Sequence, residues 1–103
     1  MAKYLLAYKG GGMAATESER EAAMAAWGAW MGGLGAALTD GGNPFAGSKA
    51  MAADGALSDG APSSLTGYSI LEADSYTAAA DLSKGCPIFA AGGSIDIYEA
   101  LPM

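Results

Sequence analysis

Few residues in this sequence are equipped for chemistry. There is no histidine, so the commonest general base and the commonest transition-metal ligand are both missing. A histidine-dependent triad and a Cys₂His₂ zinc site are thereby excluded. The remaining repertoire is aromatic, thiol and carboxylate. Trp27 and Trp30 stand among small residues in "AAMAAWGAWMGGLGAAL", Ala22–Leu38. A tryptophan brings a large apolar surface and an indole N–H that needs an acceptor. With Tyr8 and Tyr68 the pair has the composition of an aromatic pocket wall. The stripe pattern favours Trp27 as a filler of the core between helix and sheet, whereas Trp30 sits at the edge of the apolar stripe, toward a cleft or a neighbouring chain.

Cys86 is the single thiol. It follows the end of a predicted helix, where the dipole disfavours a thiolate, so a buried packing role is expected. Lys84 lies nearby and is expected to serve the last helix carbonyls. Asp40, Asn43, Asp54 and Asp59 do not match the spacing of a calcium loop, and no glutamate closes one. Turn formation accounts for them, and no metal is expected. Gly10-Gly11-Gly12 lacks the Lys-Ser/Thr of a phosphate loop and the spacing of a dinucleotide fingerprint, so no cofactor is expected. Lys9 and Lys49 are the cations open to an anionic ligand, though such lysines more often blunt exposed strands.

The elements that must position these residues read as follows. Lys3–Tyr8, "KYLLAY", is a strand with apolar residues on both faces, ended by the triple glycine. Thr16-Glu17-Ser18-Glu19 is a capping box opening a helix. Met24, Trp27, Met31, Leu34 and Leu38 recur at three and four, which makes one apolar stripe. Gly28, Gly32, Gly33 and Gly35 weaken that helix by up to about 1 kcal/mol each, which predicts a close neighbour against its bare backbone. Thr39–Phe45 reads as a turn. Gly47–Gly60 reads as a hairpin around a type I′ pair, Asp54-Gly55, with weakly β-forming alanine flanks. Gly67–Ala73 is a clear strand. Asp74 or Ser75 caps a second helix, Tyr76–Lys84, which Gly85 stops in the left-handed region. Ser94–Ala100 is the last strand.

This order, β-α-β-(β)-β-α-β, predicts one α+β domain over residues 1–103 with a ferredoxin-like β-α-β-β-α-β sheet and both helices on one face. The other sheet face is left bare. A second copy of the chain, in a two-fold dimer, is the expected cover.

The net charge is −6, from eleven acidic and five basic residues. Nucleic acid and anionic membrane surfaces call for the opposite sign, so neither is an expected partner. The apolar run Tyr4–Tyr8 is far too short to span a bilayer. With no charged leader and apolar core, and no paired cysteines, a cytoplasmic location is expected.

Three stretches carry a family resemblance: "KYLLAYKG", "ALTDGGNPF", and "LTGYSILEADSYTAAADLSKGCPIFAAGGSIDIYEALP". They are similar to the YCII-related family and its DGPF-domain relatives over nearly the whole chain. The resemblance implies a dimeric α+β barrel, two ferredoxin-like sheets face to face, with a cleft between helices and sheet in each subunit. It gives Asp59 a polar role at the cleft mouth, since "SDGAPSS" keeps Asp59-Gly60 without the Pro-Phe that should follow. The family's suggested His–Asp dyad has no counterpart here. The histidine falls near Met24–Ala26, and the aspartate falls on Cys86 before Pro87.

Three functions follow as expectations. The first is a homodimer binding a small apolar or aromatic molecule with Tyr8, Trp27, Trp30, Asp59 and Tyr68. The second is an isomerase, lyase or monooxygenase of the barrel superfamily working without histidine; no pair of groups is placed for it, so its catalytic residues are unknown. The third, on resemblance alone, is an interaction protein tied to sigma-factor systems.

Overall fold

Alternation in the first strand sorts the residues of the whole sheet. In β1 (Ala2–Lys9), Tyr4, Leu6 and Tyr8 are buried on one side, while Lys3, Leu5, Ala7 and Lys9 project from the other. The computed structural model describes residues 1–11 and 16–102. Gly12 of the triple-glycine run lies outside them. β1 pairs antiparallel with β5 (Leu65–Ala73) on one side and β6 (Ser94–Ala100) on the other. β2 (Leu38–Asp40) adds to the outer edge of β5. The sheet order is β2-β5-β1-β6, and β3 (Lys49–Met51) with β4 (Leu57–Asp59) forms a separate two-stranded sheet.

Two helices, α1 (Glu17–Leu34) and α2 (Tyr76–Ser83), lie on the same side of the large sheet. Trp27, Trp30 and Leu34 of α1, with Leu82 of α2, pack on Leu6, Tyr8, Leu71, Cys86 and Ile88. Ala79 packs with Tyr4 and Ala73, and Ile97 closes that end. The protein is thus an α+β fold with an antiparallel sheet, compatible with the ferredoxin-like expectation and enlarged by the β3–β4 hairpin.

Both helix starts follow their caps. The Thr16 hydroxyl accepts from the Glu19 amide at 3.1 Å, and Ser75, of the two residues considered, accepts from the Ala78 amide at 3.1 Å. These bonds satisfy amides that have no partner within the helix. Gly35 at φ 56° ends α1, and one 3₁₀ turn, Gly35–Ala37, lowers the chain to the sheet edge.

Several expectations are corrected. The second strand of the large sheet is Leu38–Asp40, read from sequence as the helix end and a turn, and the hairpin stands apart from that sheet. Leu38 still reaches the core, but from a strand. Met24 is exposed, outside the packed part of the stripe. Among the described residues, nothing outside the helix's own adjacent backbone comes within 4 Å of a side chain placed at Gly28, Gly32 or Gly33, so the close neighbour predicted for them is not found there. The hairpin turn is not type I′. Asp54 does not take a positive φ, and Gly55 alone is left-handed, with its amide bonded to the Ala52 carbonyl at 2.9 Å. Gly85 is not left-handed either. It admits the Trp30 ring, whose Cδ1 would lie 3.4 Å from a side chain there.

Gly28→Ala and Gly32→Ala should each raise stability by about 0.5–1 kcal/mol, because helix propensity improves and nothing in the subunit is displaced. Thermal unfolding measures this. A loss of stability in both variants would mean that these positions are covered in solution.

Candidate functional site

The sequence of β1 turns Tyr8 inward beneath α1, and the helical spacing of three sets Trp27 and Trp30 above it. The Tyr8 and Trp27 rings meet edge to face at 5.2 Å between centroids, and Trp27 meets Trp30 in the same way at 5.8 Å. Such pairs add stabilisation beyond their buried area. The Trp30 indole Nε1 donates to the Leu82 carbonyl at 3.1 Å. That bond ties α1 to the end of α2 and answers the question of where the indole finds its acceptor. Both tryptophans remain half-buried, so the cluster reaches from the core to the surface.

Beneath the rings runs a buried polar chain. The Tyr8 hydroxyl donates to Ser69 Oγ at 2.7 Å, and Ser69 Oγ donates to the Gly41 carbonyl at 2.8 Å. Ser69 is fully buried. Sequence reading missed it, yet it shares the face of Leu71 two residues on, and an inward hydroxyl must find partners. Burial pushes the Tyr8 phenol up to about 12, and the Ser69 hydrogen bond only partly opposes it. Burial also pushes up the thiol of Cys86, which lies in the same cluster. Both groups are therefore neutral at physiological pH. They offer hydrogen bonds and polarisable surface rather than a base or a nucleophile.

The other two expected site residues lie elsewhere. Tyr68 opposes Ala7, while Tyr8 opposes Gly67, so Tyr68 is on the open face of the sheet. There it stacks on Phe45 with centroids 5.9 Å apart. Asp59 is on β4, where its carboxylate pairs with Lys49 at 2.6 Å and is exposed. Lys9 is likewise engaged, with Asp96 at 2.7 Å, and Lys84 pairs with Asp81 at 2.8 Å. The structure brings Tyr8, Trp27 and Trp30 together, with Ser69 and Cys86 added.

Two shallow depressions lie along the Met1 edge. One is lined by Glu72, Asp74, Ala78 and Leu82, the other by Lys3, Glu99, Leu101 and Pro102. Neither is lined by Tyr8, Trp27 or Trp30. Among the described residues no three histidine, cysteine or carboxylate groups gather as a metal site, and no helix is long and apolar enough to cross a membrane. Compared with known proteins, the chain matches no family model, no curated protein and no solved structure.

Alkaline titration should report the buried phenol. Unfolded, Tyr8 ionises near pH 10; folded, near 12. Its contribution is whole below pH 10 and is lost as the pH climbs through about 12, at about 1.4 kcal/mol per pH unit within that window. Tyr8→Phe should cost about 1 kcal/mol at neutral pH, by leaving Ser69 one partner short, and should flatten the alkaline decline. Cys86 acts in the same direction in both proteins. Denaturant unfolding across the range measures the slopes, and equal slopes would contradict the assignment.

Proposed function

We propose that this protein is a cytoplasmic homodimer of the YCII-related, α+β-barrel type, and that each copy binds a small apolar or aromatic molecule between α1 and the sheet. The observation that carries the reading is the open sheet face. The strand register gathers Leu5, Ala7, Tyr68, Ile70 and Tyr98 on it, opposite the helices. Lys3, Glu72 and the Lys9–Asp96 ion pair stand at its rim. An apolar centre inside a charged rim is the anatomy of a protein interface. Tyr98, on this face, is 57% exposed in the single chain.

The dimensions support the same reading. The subunit measures 44 × 41 × 18 Å, with a radius of gyration of 15.0 Å, against about 13 Å for a compact domain of this length. Its surface is 6718 Å², whereas a compact monomer of this mass exposes about 5,300 Å². The difference exceeds the roughly 800 Å² that each partner contributes to a standard interface. The chain is flatter and more exposed than a self-sufficient monomer of its size.

The binding half of the reading rests on the aromatic cluster. Three edge-to-face rings over a neutral hydroxyl chain suit a flat, uncharged molecule. α1 buries no residue completely, and Trp27 and Trp30 keep part of their surface open, so the rings can be approached from the rim of the cluster. The neutrality of Tyr8 and Cys86 favours binding over proton abstraction.

Sedimentation at micromolar concentration should give twice the chain mass, and Tyr98→Asp should give the single mass with unchanged circular dichroism. A wild-type monomer would end the assembly reading. For binding, unlabelled indole added to nitrogen-labelled protein should shift the Trp27 indole signal saturably, and Tyr8→Ala should abolish the saturation. Drift without saturation in the wild type would end the ligand reading.

A further inference from the structure

The aromatic cluster uses its hydrogen-bond donors unequally. An indole N–H donates and cannot accept, a carbonyl accepts and cannot donate, and a hydroxyl does both. The Gly41 carbonyl therefore sets the direction of the buried chain. It takes the Ser69 proton at 2.8 Å, so the 2.7 Å contact between Ser69 Oγ and the Tyr8 hydroxyl must use the proton of Tyr8. That proton is committed to the interior. Trp30 is committed as well, since its Nε1 donates to the Leu82 carbonyl at 3.1 Å.

Trp27 differs. Among the described residues no acceptor meets its Nε1, and no buried polar side-chain atom is left without a partner. An indole N–H with no acceptor in the chain is therefore one that solvent reaches, and Trp27 is half-buried. Its ring is nonetheless held at two neighbours, edge to face with Tyr8 at 5.2 Å and with Trp30 at 5.8 Å. A donor already aimed by the packing of its own ring loses little rotamer freedom when it forms a bond. Tyr8 and Cys86 are 5% and 3% exposed. A molecule entering from the rim thus meets ring surface and the Trp27 N–H before it meets either of them.

We propose that the Trp27 indole N–H selects the ligand, and that the molecule held at the cluster is a flat, neutral aromatic carrying a hydrogen-bond acceptor such as a pyridine-type nitrogen. This rests on the ligand reading above and narrows it. Ring surface offers contact to any flat molecule, whereas a placed polar group fixes orientation and decides which one is preferred. The direction of the hydroxyl chain removes the Tyr8 proton from that role, and the Leu82 carbonyl removes the proton of Trp30. A ligand whose ring nitrogen only donates leaves the Trp27 N–H without its partner.

Bicyclic probes of nearly one shape separate contact from recognition. Quinoline has a ring nitrogen that accepts, naphthalene has no polar atom, and indole has a nitrogen that donates. Each is titrated into the full-length, nitrogen-labelled protein. Quinoline should bind about fivefold tighter than naphthalene or indole, the ratio that one net hydrogen bond supplies. It alone should carry the Trp27 indole proton signal downfield, to saturation. Trp27→Phe keeps an aromatic ring on α1 and removes the N–H, so in that variant quinoline and naphthalene should bind equally. The ratio is taken within one protein, so a general weakening by the substitution does not mimic it. Should the variant not fold, the wild-type ratio and the Trp27 proton shift decide between the outcomes. Equal binding of all the probes by the wild type, or a quinoline preference that persists in Trp27→Phe, overturns selection by Trp27 and leaves the ligand reading standing. Failure of every probe to saturate the wild type removes both.

Discussion

Everything in this fold depends on the side-to-side alternation of one central strand. β1 is paired along both edges, so its residues have only the two sheet faces to occupy. Tyr4, Leu6 and Tyr8 go beneath the helices, and Leu5 and Ala7 go to the open side. A slip of one residue would exchange the two sets. Two interactions at the same end of β1 hold the register. Tyr8 donates to Ser69 on the helix side, and Lys9 pairs with Asp96 on the other. Both lie beside the irregularity at Tyr8/Lys9, where the pairing with β5 shifts.

The same strand determines how firmly each helix is held. α2 is short, but Ala79 is fully buried and Ser83 is nearly so, with its hydroxyl donating back to the Ala79 carbonyl at 2.8 Å. Small residues let α2 lie close to the sheet, and the Tyr76 ring meets Tyr4 edge to face at 5.1 Å. α1 is longer and attached by fewer points, chiefly Trp27, Trp30 and Leu34. Its glycines open onto empty space rather than onto a neighbour. A helix held by two indoles over a tyrosine is anchored at one end of its length. That end is where the aromatic rings and the neutral hydroxyl chain meet.

What the sequence made legible was local chemistry. The Thr16 cap, the helix from Ser75, the strands around Ile70 and Ile97 and the burial of Cys86 all follow from residue type and spacing. What escaped depends on pairing between distant segments. Leu38–Asp40 is too short to be recognised as a strand by propensity, and it exists because the edge of β5 accepts it. Tyr68 reads as a companion of Tyr8 until the register sets Gly67 opposite Tyr8 and turns Tyr68 to the other face. Asp59 looked free to serve a cleft, but the hairpin register places Lys49 opposite it. Gly85 was assigned to a turn conformation, whereas its small size serves the Trp30 ring. In each case residue type was read correctly as a tendency, and a partner far along the chain decided how it was used.

Charge completes the argument about what this molecule can hold. Of its five basic residues, Lys9, Lys49 and Lys84 are engaged by carboxylates. None of these three is in the aromatic cluster. An anionic ligand would approach a protein of net charge −6 in which those three lysines are already paired. A cationic ligand would find aromatic faces, but the groups beneath them, Tyr8 and Cys86, are kept protonated by burial. A neutral molecule with a flat apolar body faces neither difficulty. The neutral groups at Tyr8, Ser69, Trp27 and Trp30 thus lie on the opposite side of the sheet from the charged Lys9–Asp96 pair.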